Sequence, residues 1–463
     1  MNRYLALFLA GLLILTGAVT ASGETNVYLR LRGEAAYRLK IAVAPFAANF
    51  PTPAVHQVED SIERVLEEDL RFTTLFDPLD NHRFIAETAA QDVREGTINF
   101  REWTALGADL LIKGEMKHPT GLLNFEAQLF DVRSGRVILR KVYDSPPEAS
   151  RDLMHRFADD LVLQLTGAPG VAQTVIAYLI ATTGGGKKEL MIMDYDGHAP
   201  RQVTSERSIV LTPSWAPDGK GITFTSYSAG NPDLFHLDLA SGKKLLLSAK
   251  PGLNTAPSWS PDGKRLALVL SRDGNSEIYT MDANGKDLRK LTDSPGINTS
   301  PGWSPNGREF VFTSGREGTP QIYLMDDSGK GVRRLSQGTN YADLAAWSPR
   351  GDRIAFTMRR QGLFDIFVLD MTSGQLFQLT SKAGNNKHPS WSPDGRHIVF
   401  GSTRSGRPDI YVMHMDGSGI RRLTFSGKAT SPAWSPRVVS KERVLKEGPE
   451  KSNDRKGGIA ASR

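Results

Sequence analysis

The sequence predicts a two-part fold: a small α/β domain, then an all-β propeller of six four-stranded blades whose ring is closed by both chain ends. Three observations predict the propeller. Six of the seven Trp residues (Trp215, Trp259, Trp303, Trp347, Trp391 and Trp434) recur at spacings of 44, 44, 44, 44 and 43. Each stands in one phrase, typified by Pro257-Ser-Trp-Ser-Pro-Asp-Gly263, and alternating apolar runs follow it, as at residues 265–270 and 277–281. The two ends of the array carry complementary fragments of one unit. Four strand signals within a repeat of this length are the signature of a propeller blade.

Each element of the unit has a physical reason. The Trp sits on a first strand that stops at Pro-Asp-Gly, where Pro presets φ and Gly accepts a positive φ. Residues 265–270 and 353–358 supply second strands, and residues 277–281 and 409–413 third strands. Turns at 282–285 and 416–419 return the chain to fourth strands at 288–292 and 420–424. Apolar residues of the second and third strands face the adjoining blades, so one unit cannot bury them alone. Ahead of Trp215, residues 174–181, 190–194 and 201–204 read as strands two, three and four without a first strand. Residues 430–436 supply a first strand without followers. Joining the two fragments makes the sixth blade and removes the open sheet edge.

The residues in front have a different texture. Residues 39–46 read as a strand, and 54–70 as a helix with its apolar stripe at Val55, Val58, Ile62, Val65, Leu66 and Leu70. Strands follow at 109–116, 122–130 and 137–143, then an amphipathic helix at 151–165. The seventh Trp, Trp103, is expected in the core. At the N-terminus, Arg3, an apolar stretch from Tyr4 to Val19 and the small residues Thr20-Ala21-Ser22-Gly23 read as a cleaved secretory signal. The expected organisation is therefore a signal peptide at 1–23 and a mobile segment at 24–33, followed by an α/β domain at 34–167 and a propeller at 172–436. A disordered basic tail at 437–463 completes it. Segment 24–32 alternates apolar and basic residues, which suits either an edge strand or an extended segment that docks by strand addition.

Composition narrows the function. There is no Cys, so no disulfide is available to an exported chain, and the core alone must hold it. The net charge is +6, but the tail carries eight Lys and Arg against four acids, leaving the rest near neutral and arguing against nucleic-acid binding. No Gly-x-Ser-x-Gly elbow occurs, and the chain ends soon after the ring closes, which leaves no room for a hydrolase domain. The turns Asp194-Tyr-Asp-Gly197, Asp326-Asp-Ser-Gly329 and Asp416-Gly-Ser-Gly419 recur as hairpins and lack the distal Glu of a calcium loop. The nine His residues lack metal-ligand spacing, so neither a metal nor a cofactor is expected. The loops entering the first strands should face the mouth of the central channel, and Asn recurs in them at Asn254, Asn298 and Asn386. These side chains either converge as a docking surface or satisfy local turns. An enzyme reading, a lyase or sugar-processing propeller, would need carboxylates or His at that mouth, where the loops offer mostly Asn and Thr.

The whole arrangement resembles the TolB family of periplasmic propeller proteins of the Tol-Pal system. The resemblance spans about residues 1–436. It rests on the signal peptide, Ile41-Ala-Val-Ala-Pro-Phe46, Trp103-Thr-Ala-Leu-Gly-Ala-Asp109, Leu165-Thr-Gly167, Val175-Ile-Ala-Tyr178, the Trp-centred blades and Ser431-Pro-Ala-Trp-Ser-Pro436. The blade phrase alone is common to many propellers; the combination is specific. The resemblance implies a periplasmic, monomeric, non-enzymatic binding protein that serves outer-membrane integrity and envelope constriction in cell division. It implies that a Pal-like peptidoglycan-associated lipoprotein docks at the propeller mouth, at Leu253, Asn254, Thr255, Asn298 and Thr299, with Asp343, Asn386 and Lys387. It implies that a TolA-like inner-membrane protein takes the N-terminal segment through Glu24, Val27, Tyr28, Leu29 and Leu31. The chain departs from the family at Leu253, a position where a His can precede the Asn, which loosens that transfer.

Overall fold

The computed structural model describes residues 38–48, 54–80, 98–117, 121–182 and 186–437. The expected signal peptide, the N-terminal segment with Glu24, Val27, Tyr28, Leu29 and Leu31, and the tail beyond 437 lie outside the described residues.

The N-terminal region is one mixed sheet with helices against it. Strands β1 (Leu39–Val43), β2 (Ala47–Ala48), β3 (Phe76–Pro78), β4 (Leu110–Lys117), β5 (Leu123–Asp131) and β6 (Val137–Ser145) run in the order β3-β1-β4-β5-β6, with β2 on β4. β1 is parallel to β3 and β4, while β4, β5 and β6 form an antiparallel meander. In β5 every second residue (Leu123, Phe125, Ala127, Leu129) is buried, and this face meets α1 (Ala54–Phe72) and α3 (Ser150–Thr166). Trp103 is in the core as expected, on a short helix α2 (Phe100–Ala105), packed with Ala42, Leu111 and Phe130. Sequence periodicity missed both β3 and α2. Each is too short to show a period, and β3 is a strand only because β1 pairs with it.

The propeller is as expected: six four-stranded antiparallel sheets. Blades I to V span 210–248, 254–290, 298–334, 342–378 and 386–422. Blade VI is built from the closing strand Ala429–Trp434 together with Val175–Ala181, Lys188–Asp194 and Arg201–Gln202. The closure register sets Ala429 against Ile180 and Trp434 against Ile176.

The Trp repeat ties four of the six blades to their predecessors. The indole N–H of Trp215 donates to Ala433 O (3.0 Å) and that of Trp259 to Thr223 Oγ1 (3.0 Å). Trp303 donates to Ser258 O (3.2 Å) and Trp391 to Ala346 O (3.1 Å). Trp434 instead reaches Thr174 Oγ1 at 2.9 Å, within the closing blade. Trp347 alone of the six has no partner for its buried Nε1.

The N-terminal region sits on one rim of the ring. Strand pairing puts Asn254, Leu270 and Glu277 at one rim of a blade and Trp259, Leu266 and Met281 at the other. Residues of the second rim receive α1 and α3. The Phe72 ring stacks on His397 with centroids 4.0 Å apart, and His397 Nε2 donates to Phe72 O at 2.7 Å. Beneath them the buried Asp69 carboxylate lies 2.7 Å from His155 Nδ1 and accepts from the Tyr195 hydroxyl. Burial, helped by Asp69, drives the Tyr195 phenol well above its usual range. Arg151 pairs with Asp196 alongside. The chain leaves α3 past Asp159, whose carboxyl accepts from the Ala172 and Gln173 amides (2.8 and 3.0 Å) and is pushed up to about 7 by burial. Gly170 is required here, because a Cβ would collide with Asp159 Oδ1.

Trp391→Ala should lower stability by about 3–5 kcal/mol, read by urea unfolding, and Trp347→Ala, without an indole hydrogen bond, by clearly less. Asp69→Ala strands two buried polar groups between the domains; a loss of about 3 kcal/mol and a split calorimetric transition are expected.

Candidate functional site

The site is built by an irregularity that recurs in every blade. Along strand one the register advances three residues where strand two advances two: between Leu211 and Ser214, Thr255 and Ser258, Thr299 and Gly302, and at the equivalent places in the other blades. The extra residue makes a β-bulge, and the residue that starts it takes a left-handed conformation. Thr212, Ala256, Ser300, Leu344, His388 and Ser431 have φ of 47°, 50°, 52°, 59°, 58° and 52°. None is Gly, so each stores about 1–2 kcal/mol of steric strain. The bulge turns these six residues into the central channel, where they line a cavity of about 400 Å³ together with the adjoining Pro, Ser and Trp residues. His388 is its one titratable side chain. Burial, with Lys387 and Lys188 nearby, pushes the His388 imidazole down to about 4, so it is neutral at neutral pH.

The residues singled out from the sequence lie one step outside this cavity, at the rim opposite the N-terminal region. Asn254, Asn298 and Asn386 are fully buried and occupied by local bonds. Asn254 Nδ2 donates to Lys250 O (2.7 Å) and its Oδ1 accepts from Ser248 Oγ (2.7 Å) and Lys250 N (2.9 Å). Asn298 Nδ2 donates to Glu277 Oε2 at 2.8 Å, and Asn386 Nδ2 to Asp365 Oδ1 at 3.1 Å. Of the two readings open for these Asn residues, the structure favours turn satisfaction: they anchor the loops and present no free side chain. Leu253 is half-buried, with its N–H on Ser271 Oγ at 2.8 Å.

Thr255, Thr299, Asp343 and Lys387 share one register position, each half-buried and next to a left-handed residue. Two of them meet. Lys387 Nζ sits 3.8 Å above the Phe364 ring, which packs edge-on to Tyr341 at 5.3 Å. Asp343 accepts from Thr313 Oγ1 of the preceding blade (2.7 Å) and from Leu344 N (2.6 Å). Burial raises the Asp343 carboxyl, although these hydrogen bonds and Lys387 act against it. Ala256, Ser300 and His388 end loops that the sequence places at the channel mouth, but the ring they form with Thr212, Leu344 and Ser431 is not evident there; the Pro that follows most of its members is the one signal for it. Among the described residues no cluster of three or more His, Asp or Glu could hold a metal ion.

Comparison with known proteins adds the following. A family profile described as the TolB amino-terminal domain matches residues 27–138, and one described as the TolB beta propeller domain matches 162–354 and 337–445. The chain is 37% identical over 227 residues to the Tol-Pal system protein TolB of Desulfosudis oleivorans, covering 49% of this chain and 51% of that one. It is 34% identical over 240 residues to the protein of the same name from Methylobacillus flagellatus, covering 52% and 53%. The matched stretch thus spans about half the length of these curated relatives. The crystal structure of TolB from Acinetobacter baumannii superposes with a TM-score of 0.76 at 29% identity, over 87% of this chain and 98% of that one.

A depressed His pKa means that the folded state resists a proton the unfolded chain accepts, so it costs stability as pH falls from about 6.5 towards 4. His388→Asn should therefore lose less thermal stability than the parent protein across that window, and the two should behave alike above pH 7.

Proposed function

Because the chain belongs to the TolB family, we propose that it is a periplasmic binding component of the Tol-Pal envelope system and not an enzyme. On this reading a Pal-like peptidoglycan-associated lipoprotein docks on the rim opposite the N-terminal region. A TolA-like inner-membrane protein takes the segment at 24–33, and the linkage serves outer-membrane integrity and constriction in division. The observation that carries the proposal is the pairing of both family domains in one chain whose ring, among the described residues, is covered on one rim and open on the other. The channel lining supports a binding role, since a lone His among Ser, Pro, Ala and Trp offers no acid–base pair. Around the open rim Leu253, Thr255, Thr299, Asp343 and Lys387 are among the side chains a partner would meet, and Asn254, Asn298 and Asn386 hold the loops that carry them.

Calorimetry of the protein starting at Glu24 with the soluble domain of the Pal-like lipoprotein from the same organism tests this. Saturable one-to-one binding is expected, weakened about tenfold or more by Thr299→Arg. Deleting 24–32 should abolish capture by the TolA-like domain and alter lipoprotein affinity if the segment switches between packed and free states. Unchanged lipoprotein binding in the deletion would retain the partner and remove the switch; no binding by either protein would remove the assignment.

A further inference from the structure

The open rim is electrically lopsided. Its loops are those joining strands two and three within a blade and those joining strand four to the next strand one. Along the arc formed by blades IV, V and VI these loops and strand ends carry Arg359, Lys382, Arg407 and Lys428, all exposed, with Lys188 and Lys387 half-buried towards the channel. None of these six forms an ion pair with a described residue, whereas the acids of the same arc are turned inward. Asp365 accepts from Thr380 Oγ1 (2.8 Å) and Asp409 from Thr424 Oγ1 (2.8 Å) and Arg422 Nη2 (2.6 Å). Glu189 accepts from Thr204 Oγ1 (2.6 Å) and from the Arg207 amide (2.7 Å). These carboxylates bind strand three to strand four and the next loop, and all three are buried.

Blades I and II carry the same kind of buried acid, at Asp233 and Glu277, but blades I to III add further acids on the rim. These added acids neutralise neighbouring cations: the half-buried Glu206 with Lys244 (2.6 Å), and at the surface Asp273 with Arg272 (3.1 Å), Asp293 with Lys290 (2.8 Å) and Glu317 with Arg334 (2.8 Å). The charged arc also carries exposed apolar side chains; the other arc has one at Ile297, 60% exposed. Phe425 is 75% exposed with the Arg422 guanidinium 4.8 Å from its ring, and Leu363 is 36% exposed beside the Phe364–Lys387 pair. Uncompensated cations around exposed apolar side chains are the composition of a protein-docking patch whose partner brings the opposite charge.

We propose that the arc of blades IV to VI is a docking surface for an acidic protein face: a carboxylate-rich segment that surrounds an apolar side chain seated against Phe425 and Leu363. This rests on the reading of the open rim as the partner-binding face and adds which half of it binds and by what chemistry. Charges at this spacing act over about a Debye length, so they accelerate encounter and lose their effect in salt.

The test is association kinetics of the full protein with the soluble lipoprotein domain at about 50 and about 500 mM NaCl. A triple variant (Lys382→Glu, Arg407→Glu, Lys428→Glu) and a control on the other arc (Lys250→Glu) are compared, and all must keep the parent thermal midpoint. Association is expected to slow at least about tenfold in high salt for the parent, and the triple variant to be about tenfold slower in low salt with a flattened salt dependence. The control should change less than about threefold. A Glu-rich peptide with a central Leu is titrated in parallel and should bind the parent in low salt and not the triple variant. Lipoprotein binding that is insensitive to both salt and charge reversal overturns the proposal and leaves the docking reading intact. If the lipoprotein does not bind at all, the docking reading fails, and the peptide alone decides: loss in the triple variant upholds an acidic ligand, and no binding overturns it. Retention by vesicles containing anionic phospholipid in preference to the peptide, abolished by the triple variant, would also overturn it, as the arc would then serve a lipid surface.

Discussion

The bulge in the first strand of each blade is the constraint on which the rest of the propeller depends. A single extra residue held at positive φ bends the strand at the channel wall, turning one side chain inward while the Trp three residues on reaches the adjoining blade. Six non-Gly residues accept this conformation, and the strain persists because ladder pairing on both sides of the bulge fixes it. The same device therefore sets the channel width, the interblade contact and the angle at which the loops leave the open rim.

The two rims divide the labour. One is committed to the N-terminal region through aromatic stacking, a His–carbonyl hydrogen bond and a buried carboxylate shared by His155 and Tyr195. The other is stiffened from within. Hydroxyl–carboxylate pairs join strands three and four, and buried Asn side chains pin the entering loops. Since these polar groups are fully used in holding the rim, recognition falls to what stands above them: cations, a few Thr and isolated apolar side chains. A rim rigid before contact loses little entropy on binding, which favours a folded partner meeting a preformed surface.

Much of this was legible beforehand for reasons that differ by element. The Trp phrase and its period announce blade number and ring closure because every repeat repeats the same burial problem. The sheet and long helices of the N-terminal region show in their periodicities. The recurrence of Asn at the loop ends is plain in the sequence, but recurrence does not say whether these side chains face a partner or their own backbone. Local hydrogen-bond geometry decides that, and it points them inward. The channel ring as a whole is not legible in the sequence because Thr212, Leu344 and His388 share no side-chain chemistry; what they share is a backbone angle.

By itself the sequence determined the two-part architecture, the order of strands within each blade and the family, since these follow from periodic burial and turn chemistry along the chain. Only the tertiary structure decided which rim the N-terminal region covers, which acids are spent inside the blades and which cations are left without counter-charges. Those outcomes depend on residues hundreds of positions apart, such as Phe72 and His397 or Val175 and Ser435, meeting in space. Pairing of charges is likewise a matter of distance and burial, and a linear count of Lys, Arg, Asp and Glu carries neither.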